Sequence, residues 1–272
     1  MLVAVSGGAD SVSLLDVLMR AGYDCIAVHC NFHLRGTESD RDEMFVRDLC
    51  KELNVPLEVQ HFDTLAYSRE KHVSMEVAAR ELRYTWFDQM AREKGCQAIA
   101  VGHHQNDQAE TILLNLKRGA GLRGLAGMRP KSANPMAPDS VPIVRPLLCT
   151  TRDYIEHYLR DKRHLNWVID STNKDLTISR NAVREQLKEY TKAEIEHMAQ
   201  TAEYMQGYVD ILEGKQTREA GIARLYEDIR EYNFAEIDKI YDALLRGEGG
   251  KTFTSKTHKA TIKKGKLCVT TV

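Results

Sequence analysis

The chain has 272 residues, enough for one large domain with a small one, or for two modest ones. Its 43% apolar and 28% charged residues are ordinary for a soluble protein, and no stretch approaches the eighteen apolar residues of a membrane span. The N-terminus has no basic region before its short apolar run, so we expect no signal peptide, no membrane segment and a cytoplasmic location.

Cysteine spacing and charge distribution narrow the function classes further. The six cysteines form no Cys-x-x-Cys pair, which disfavours a zinc site or a disulfide framework. The formal net charge is −1, yet the windows Thr111 to Pro138 and Lys251 to the C-terminus contain bases and no acids. Each window is consistent with a surface for a phosphate backbone, or with a solvated lysine-rich face.

The first 145 residues alternate short β-like runs with amphipathic segments. Strands are predicted at residues 2–6, 24–30, 56–62, 97–102 and 141–147, and helices at 11–21, 39–53, 74–94 and 107–118. Strand, helix and strand in steps of roughly 30 residues predict an α/β fold with a doubly wound parallel sheet. The first and fourth strands are almost continuously apolar, which is typical of strands covered on both faces.

After Thr151 the pattern becomes helical as far as Arg246, and residues 261–272 predict a terminal hairpin. We therefore expect a domain boundary near Tyr190. The predicted domains are residues 1–190, a sheet domain, and residues 191–272, a small and mainly helical domain that ends in a basic hairpin.

The stretch "SGGADS", residues 6–11, follows the first strand directly. In open α/β sheets ligands bind beyond the carboxyl ends of strands. Gly7 and Gly8 permit positive φ and close backbone approach, so successive N–H groups and the next helix N-terminus can hold a phosphate. The alternative is a tight turn in which Asp10 or Ser11 caps the helix. A carboxylate at Asp10 would repel a polyphosphate unless a cation intervenes, which predicts magnesium.

Four ordered segments carry a resemblance to a known family. "SGGADS" resembles the pyrophosphate loop of the ATP pyrophosphatase (PP-loop) superfamily, and "VHCNFHLRGTESDRDEMFV" and "GHHQNDQAETILLNLKRGAGLRGLAGM" resemble signatures of the tRNA(Ile)-lysidine synthetases. "RPLL" and "DSTN…SRNAVR" are similar to two further signatures of that family. The resemblance covers about residues 2–189, and four matches in order are far more specific than the loop alone.

The second signature contains two acids whose roles the residues alone leave open. Asp107 and Glu110 lie three apart at a predicted helix start, so they face one way, beside the sheet edge that holds residues 6–11. A capping box with Asp107 as N-cap would also explain both acids, and His103 and His104 are consistent with ordinary loop histidines.

The resemblance implies an ATP-dependent ligation of free L-lysine to C2 of the wobble cytidine of tRNA(Ile) with a CAU anticodon, releasing AMP and pyrophosphate. It implies catalytic roles for Asp10, Asp107, Glu110 and Arg180, of which Asp10 and Asp107 would hold Mg²⁺ and Glu110 would receive the lysine amine. The implied ATP-binding residues are Ser6, Gly7, Gly8, Ala9, Asp10, Ser11, His29, Arg80 and Arg83. The implied tRNA-binding residues are Lys117, Arg118, Arg123 and Arg184.

Two rival functions remain at this point. A tRNA-thiolation enzyme uses the same loop, but such enzymes need cysteines for sulfur transfer, often in paired motifs that this chain lacks. A noncatalytic module that binds ATP is the other alternative. For Arg80, Arg83, Arg180 and Arg184, solvated surface positions are the alternative, and the oligomeric state is not readable from the sequence.

Overall fold

A computed structural model describes residues 1–169 and 179–271, with the backbone alone for residues 179–181 and 234. Its described residues form two compact units. The first unit comprises Met1–Thr111 and Arg129–Glu196, and the second comprises Ile112–Met128 and His197–Val272. The sequence-based boundary near Tyr190 stays a prediction, but it did not anticipate that the segment Ile112–Met128 belongs to the compact unit of the C-terminal helices.

The first unit is built on a six-stranded sheet. Its strands are β1 Leu2–Ala4, β2 Ile26–Asn31, β3 Leu57–His61, β4 Ile99–Ala100, β5 Lys131–Ser132 and β6 Ile143–Val144. The order across the sheet is β3-β2-β1-β4-β6-β5, and every pair is parallel except β5 with β6. The predicted doubly wound parallel sheet is confirmed, and each of its five predicted strands is present. The short antiparallel edge strand β5 was not predicted.

The helices follow the strands in the expected alternation. They are α1 Ala9–Arg20, α2 Thr37–Glu52, α3 Thr64–Lys71, α4 Met75–Glu93, α5 Gln105–Lys117, α6 Leu122–Leu125, α7 Arg152–His157, α8 Ser179–Leu187, α9 Lys192–Leu212, α10 Arg218–Asp228 and α11 Phe234–Leu245. The helical pattern predicted after Thr151 is only partly correct. A π-helical turn, Tyr158–Arg163, follows α7, and His164 then ends the helical backbone at φ 55.

Alternate residues of β1 pack into two separate clusters on opposite faces of the sheet. Val3 lies in the cluster formed with α1 and α2, whereas Leu2 lies in the cluster that contains Trp86 and Phe87 of α4. Both β1 side chains are fully buried. This explains why the strand reads as a continuous apolar run, since each face of the sheet is covered by helices.

The second unit combines α9, α10 and α11 with a three-stranded antiparallel sheet. Its strands are β7 Thr252–Thr254, β8 His258–Lys263 and β9 Lys266–Thr271, in that order across the sheet. Ala260 and Ile262 of β8 are buried in a cluster with Ile237 and Ile240 of α11. The predicted terminal hairpin is therefore confirmed, and β7 extends it to a sheet. Among the helices of residues 1–169 and 179–271, none is long and apolar enough to cross a membrane.

Candidate nucleotide site

The turn between β1 and α1 is closed by the hydroxyl of Ser11. The N–H groups of Ser6 and Gly7 each donate to Ser11 Oγ at 3.1 Å, and Ser11 Oγ donates to the carbonyl of Gly8 at 2.9 Å. The helix begins at Ala9, with Gly8 as an N-cap that provides no side-chain cap. Capping by Asp10 or Ser11, the alternative left open by the sequence, is therefore wrong. These backbone donors lie at the N-terminal, positive end of α1, which is where anion cradles form.

Only one of the two loop glycines needs its conformational freedom. Gly7 has φ 93, and a Cβ there would lie 2.8 Å from Val168 Cγ2. Gly8 has φ −72 and a Cβ would meet nothing closer than 3.7 Å, so the expected positive φ at this position is not observed. The N–H of Val168 also donates to the carbonyl of Gly7 at 2.9 Å, which fixes the turn from the far side.

The carboxylate of Asp10, in the first turn of α1, lies between two cationic partners. Arg152 Nη1 of α7 donates to Asp10 Oδ2 at 2.6 Å, and His104 Nε2 lies 3.4 Å from Asp10 Oδ1. Burial raises the pKa of Asp10, but His104 and Arg152 outweigh it and hold the pKa below its usual value. Gly102 allows the segment after β4 to lie close to the backbone of Asp10, because a Cβ at this position would lie 3.1 Å from the backbone carbon of Asp10.

His104 joins the loop to the start of α5. Its Nε2 lies 3.4 Å from Asp10 Oδ1 and 3.5 Å from Asp107 Oδ2, and the side chain is buried. Burial, the largest influence, lowers the pKa of His104, yet the contact with Asp10 and the charges of both acids raise it above its usual value. His104 Nε2 therefore lies between the two carboxylates and is the common neighbour of both acids. His104 is thus not an ordinary loop histidine.

Asp107 and Glu110 occupy the first turns of α5. The helix begins at Gln105, so Asp107 is not the N-cap; its Oδ2 instead accepts from the N–H of His104 at 3.0 Å. Glu110 is 2% exposed, and its Oε2 accepts from Arg184 Nε at 2.7 Å. Arg184 Nη2 lies 3.9 Å from Asp107 Oδ1. Burial lowers the pKa of Arg184, but Glu110 and Asp107 raise it above its usual value.

The remaining predicted ATP-binding side chains lie on β2 and α4. His29 is buried, and its Nδ1–H donates to the carbonyl of Val5 at 2.8 Å, which leaves Nε2 as the acceptor of the ring. Burial lowers the pKa of His29, so the neutral imidazole is favoured. Arg80 stacks on the Tyr84 ring at 4.9 Å and Arg83 on the Phe32 ring at 5.2 Å.

The predicted tRNA-binding residues divide between the two units. Lys117, Arg118 and Arg123 lie in the second unit, where Arg123 Nη2 pairs with Glu213 Oε1 at 3.1 Å. Arg184 lies in the first unit against Glu110 rather than with the other three. The side chain of Arg180 and the segment Asp170–Asn173 lie outside the described residues, so their predicted roles stay predictions.

Sequence analysis missed three residues of this site, which are His104, Gly102 and Arg152. His104 was noticed but was given no role, although it precedes the helix that holds Asp107. A signal for Gly102 existed, because it ends a buried strand next to the one that leads into Gly7. No sequence pattern indicated Arg152, because 142 residues separate it from Asp10 and only folding brings α7 against α1.

Two family models match the chain. Residues 1–203 match the model described as the PP-loop domain, and residues 205–272 match the one described as the TilS substrate binding domain. Because the first match spans most of the chain and agrees with the parallel sheet and its loop, the chain belongs to the PP-loop domain family.

Curated relatives resemble the chain along nearly all of its length. It is 42% identical over 286 residues to the tRNA(Ile)-lysidine synthase of Parabacteroides distasonis, covering 95% of this chain and 63% of the relative. It is 41% identical over 281 residues to the tRNA(Ile)-lysidine synthase of Bacteroides thetaiotaomicron, covering 94% of this chain and 64% of the relative. The chain thus spans less than two thirds of the length of these relatives.

One solved structure shares the fold at low sequence identity. The U34-tRNA thiolase NcsA from Methanococcus maripaludis superposes with a TM-score of 0.53 at 18% identity, over 74% of this chain and 70% of that chain. At this identity the likeness concerns the fold alone.

Proposed function

We propose that this chain catalyses the ATP-dependent ligation of L-lysine to C2 of the wobble cytidine of tRNA(Ile) with a CAU anticodon, giving lysidine, AMP and pyrophosphate in the cytoplasm. One observation carries the proposal. Acids from two separate segments, Asp10 and Asp107, lie within 3.5 Å of one His104 nitrogen beside the β1–α1 turn, in a chain about 42% identical to tRNA(Ile)-lysidine synthases.

In the first step, cytosine O2 attacks the α-phosphorus of ATP and displaces pyrophosphate. The N–H groups of the turn and the N-terminus of α1 stabilise the negative charge that develops on the leaving group. Ser6, Gly7, Gly8, Ala9, Asp10 and Ser11 provide this cradle. We assign His29, Arg80 and Arg83 to ATP, and Arg180 to the α-phosphate.

The acids fit a magnesium ion that accompanies the nucleotide. Within the described parts of the chain no group of three or more His, Cys, Asp or Glu side chains could hold a metal by itself. Mg²⁺ commonly needs only one or two carboxylates beside substrate phosphates, and Asp10 Oδ1 is buried without a hydrogen-bond partner among the described residues. Asp10 and Asp107 would therefore hold Mg²⁺, which supplies charge neutralisation on the phosphates.

In the second step, the lysine amine adds to the activated C2 and AMP leaves. The amine must be unprotonated to attack, although its pKa is ordinarily about 10.4, so a carboxylate has to hold and deprotonate it. Glu110 is our first choice because its carboxyl group is buried and lies three residues after Asp107 on α5. Asp107 is the second choice.

We assign tRNA binding to Lys117, Arg118, Arg123 and Arg184, and to the terminal sheet. The strand register places the exposed side chains of the sheet in rows on one face. That face carries Thr252, Thr254, Lys259, Thr261, Lys263, Lys266, Cys268 and Thr270. A face of lysines and hydroxyls without acids is complementary to a phosphate backbone. The proposed domains are therefore a catalytic one, residues 1–190, and a tRNA-contacting one, residues 191–272.

The cysteines argue against thiolation, the nearest enzymatic alternative. Sulfur transfer uses an accessible thiolate, whereas Cys25, Cys50 and Cys96 are buried. Burial raises the pKa of Cys30 to about 12 and that of Cys50 to about 11. Replacing the two exposed cysteines, Cys149 and Cys268, with serine should leave turnover intact if lysine is the nucleophile.

A turnover assay tests the proposal. The protein is incubated with ATP, Mg²⁺, labelled lysine and the tRNA(Ile) transcript, and both RNA-bound label and AMP are measured. We expect label and AMP in equal amounts that depend on the tRNA, and a loss of about 10²- to 10⁴-fold for Glu110→Gln or Asp107→Asn. The exposed Asp139, changed to Asn, is the matched control. ATP binding without RNA-dependent AMP would instead indicate a noncatalytic module.

A further inference from the structure

Arg152 makes two contacts that join α7 to the candidate nucleotide site, and a third contact within α7 orients its side chain. Its Nη1 donates to Asp10 Oδ2 at 2.6 Å, its Nε donates to Glu156 Oε1 at 2.7 Å, and its backbone N–H donates to Asn106 Oδ1 at 2.9 Å. The side chain is 35% exposed, so the guanidinium is partly shielded from water. Arg152 is therefore held at a fixed place beside the proposed cation ligand.

The two oxygens of Asp10 have different surroundings. Arg152 takes Oδ2 at close range, while Oδ1 is buried, has no hydrogen-bond partner among the described residues and lies 3.4 Å from His104 Nε2. A buried carboxylate oxygen without a hydrogen bond is costly, so its retention points to a ligand that this oxygen receives. Oδ2 is thus held tightly by Arg152, whereas Oδ1 is held only by the longer contact with His104.

We propose that Arg152 is a positioning residue that serves as an internal counter-cation for Asp10, and that it competes with the divalent cation for this carboxylate. The proposal rests on the proposed function, because Asp10 is the assigned magnesium ligand. The tethered guanidinium neutralises Asp10, so a cation alone binds weakly. The negative charge of nucleotide phosphates attracts Arg152 as well as the cation, so the competition is relieved only when the two ligands arrive together.

This competition makes cation binding depend on nucleotide. It also predicts that a mutation of Arg152 raises the affinity for Mg²⁺. Removing the charge of Arg152 leaves Asp10 with His104 alone, so Mg²⁺ should bind more tightly in the absence of ATP. Arg152 Nη1 lies 2.6 Å from Asp10 Oδ2, so the guanidinium and a cation bound to this carboxylate would be close enough to repel each other strongly. We therefore expect the apparent affinity for Mg²⁺ alone to rise at least about tenfold.

The test is thermal unfolding of the whole chain across a Mg²⁺ titration, without ATP, lysine or RNA. We expect a midpoint that changes little for the unmodified chain, rises with Mg²⁺ for Arg152→Ala, and loses that rise in Arg152→Ala with Asp10→Asn. Glu156→Gln removes the charge of the other side-chain partner of Arg152 and should behave like the unmodified chain. Arg152→Lys keeps the charge and should restore the weak response.

The proposal is overturned if the folded Arg152→Ala variant responds to Mg²⁺ no more than the unmodified chain, or if the response survives Asp10→Asn. Should Arg152→Ala fail to fold, Arg152→Gln decides in its place, since it removes the charge and keeps a hydrogen-bond donor of similar length. No turnover is measured, so this result is independent of the lysine-incorporation assay. A failed turnover with a positive Mg²⁺ response would overturn the proposed function and leave the competition in place.

Discussion

At the scale of single residues, the turn and Asp10 are held by contacts within the chain, and these contacts use groups that a ligand would also use. Ser11 Oγ accepts the N–H groups of Ser6 and Gly7, and Arg152 and His104 neutralise Asp10. Each of these internal partners occupies a group that a phosphate or a cation would also bind. The turn is therefore held by its own residues in this structure, and a ligand that used the same groups would have to displace these partners.

Gly7→Ala is the sharpest test of the turn itself. The new Cβ would lie 2.8 Å from Val168 Cγ2 in a backbone with φ 93, so both strain and overlap oppose it. We expect a loss of about 1–3 kcal/mol in the free energy of unfolding, measured by urea denaturation. Gly8→Ala, with φ −72 and its nearest atom at 3.7 Å, is the matched control and should cost far less. Equal losses for the two variants would refute the assigned geometry.

The sequence predicts the acids of the site better than their partners. Asp10 and Asp107 follow buried strands, so the parallel-sheet rule places both at one edge. The tie of Arg152 to Asp10 and that of Arg184 to Glu110 join residues 142 and 74 positions apart. Periodicity describes local structure and contains no distance between such residues, so these pairings emerge only from the packing of α7 and α8.

At the scale of elements, strand and helix identities follow from periodicity, while exceptions arise from tertiary contacts. The inner strands β1 and β4 are largely buried and read as apolar runs, whereas the edge strand β3 contains Glu58 and Gln60 and has no buried residue. The two-residue β5 has no such run, and its pairing with β6 is fixed by distant contacts. Arg145 Nη1, for example, donates to the carbonyl of Arg129 at 2.8 Å and to Ser132 Oγ at 3.0 Å.

The glycine-rich segment Ile112–Met128 is anchored to α9 within the second unit by one buried amide. Gln206 Nε2 donates to the carbonyls of Ala126 at 2.7 Å and Met128 at 2.9 Å, and Gln206 is 2% exposed. We expect Gln206→Leu to cost about 1–3 kcal/mol, because it removes the donor of two shielded carbonyls. Hydrogen exchange should rise in residues 119–128.

Gln200→Leu, on the same helix but exposed, is the control for this change. It alters side-chain polarity equally and removes no buried hydrogen bond, so exchange in residues 119–128 should stay unchanged. Slow exchange in that segment after Gln206→Leu would show that other contacts hold it.

At the scale of the whole molecule, a net charge of −1 conceals a strongly uneven distribution of charge. The acid-free C-terminal sheet lies in the second unit, and the acids of the candidate site lie in the first. Composition predicts neither feature, whereas the lack of acids after Lys251 predicts the basic sheet, and positions after buried strands predict the acids of the site. The exposed lysine face follows from the alternation of β8, in which Ala260 and Ile262 point into the core.

Charge reversal on this face should weaken RNA binding and make that binding less dependent on salt concentration. We expect a triple variant, with Glu at positions 259, 263 and 266, to have a shallower dependence of log affinity on log salt. The magnitude of the slope should fall by about 2–3, roughly one unit per lost phosphate contact. The exposed Lys51, Lys71 and Lys239, changed in the same way, give an equal change in net charge. If both triple variants lower the slope equally, the sheet is not a specific RNA surface.

The most direct test of the central claim is a crystal structure of this chain with Mg²⁺ and a non-hydrolysable ATP analogue. We expect the triphosphate on the N–H groups of Gly7 and Gly8, a magnesium ion bound by Asp10 and Asp107, and Arg152 withdrawn from Asp10. A triphosphate bound elsewhere, with Ser11 Oγ still accepting from Ser6 and Gly7 and no cation beside either acid, would contradict the assigned site.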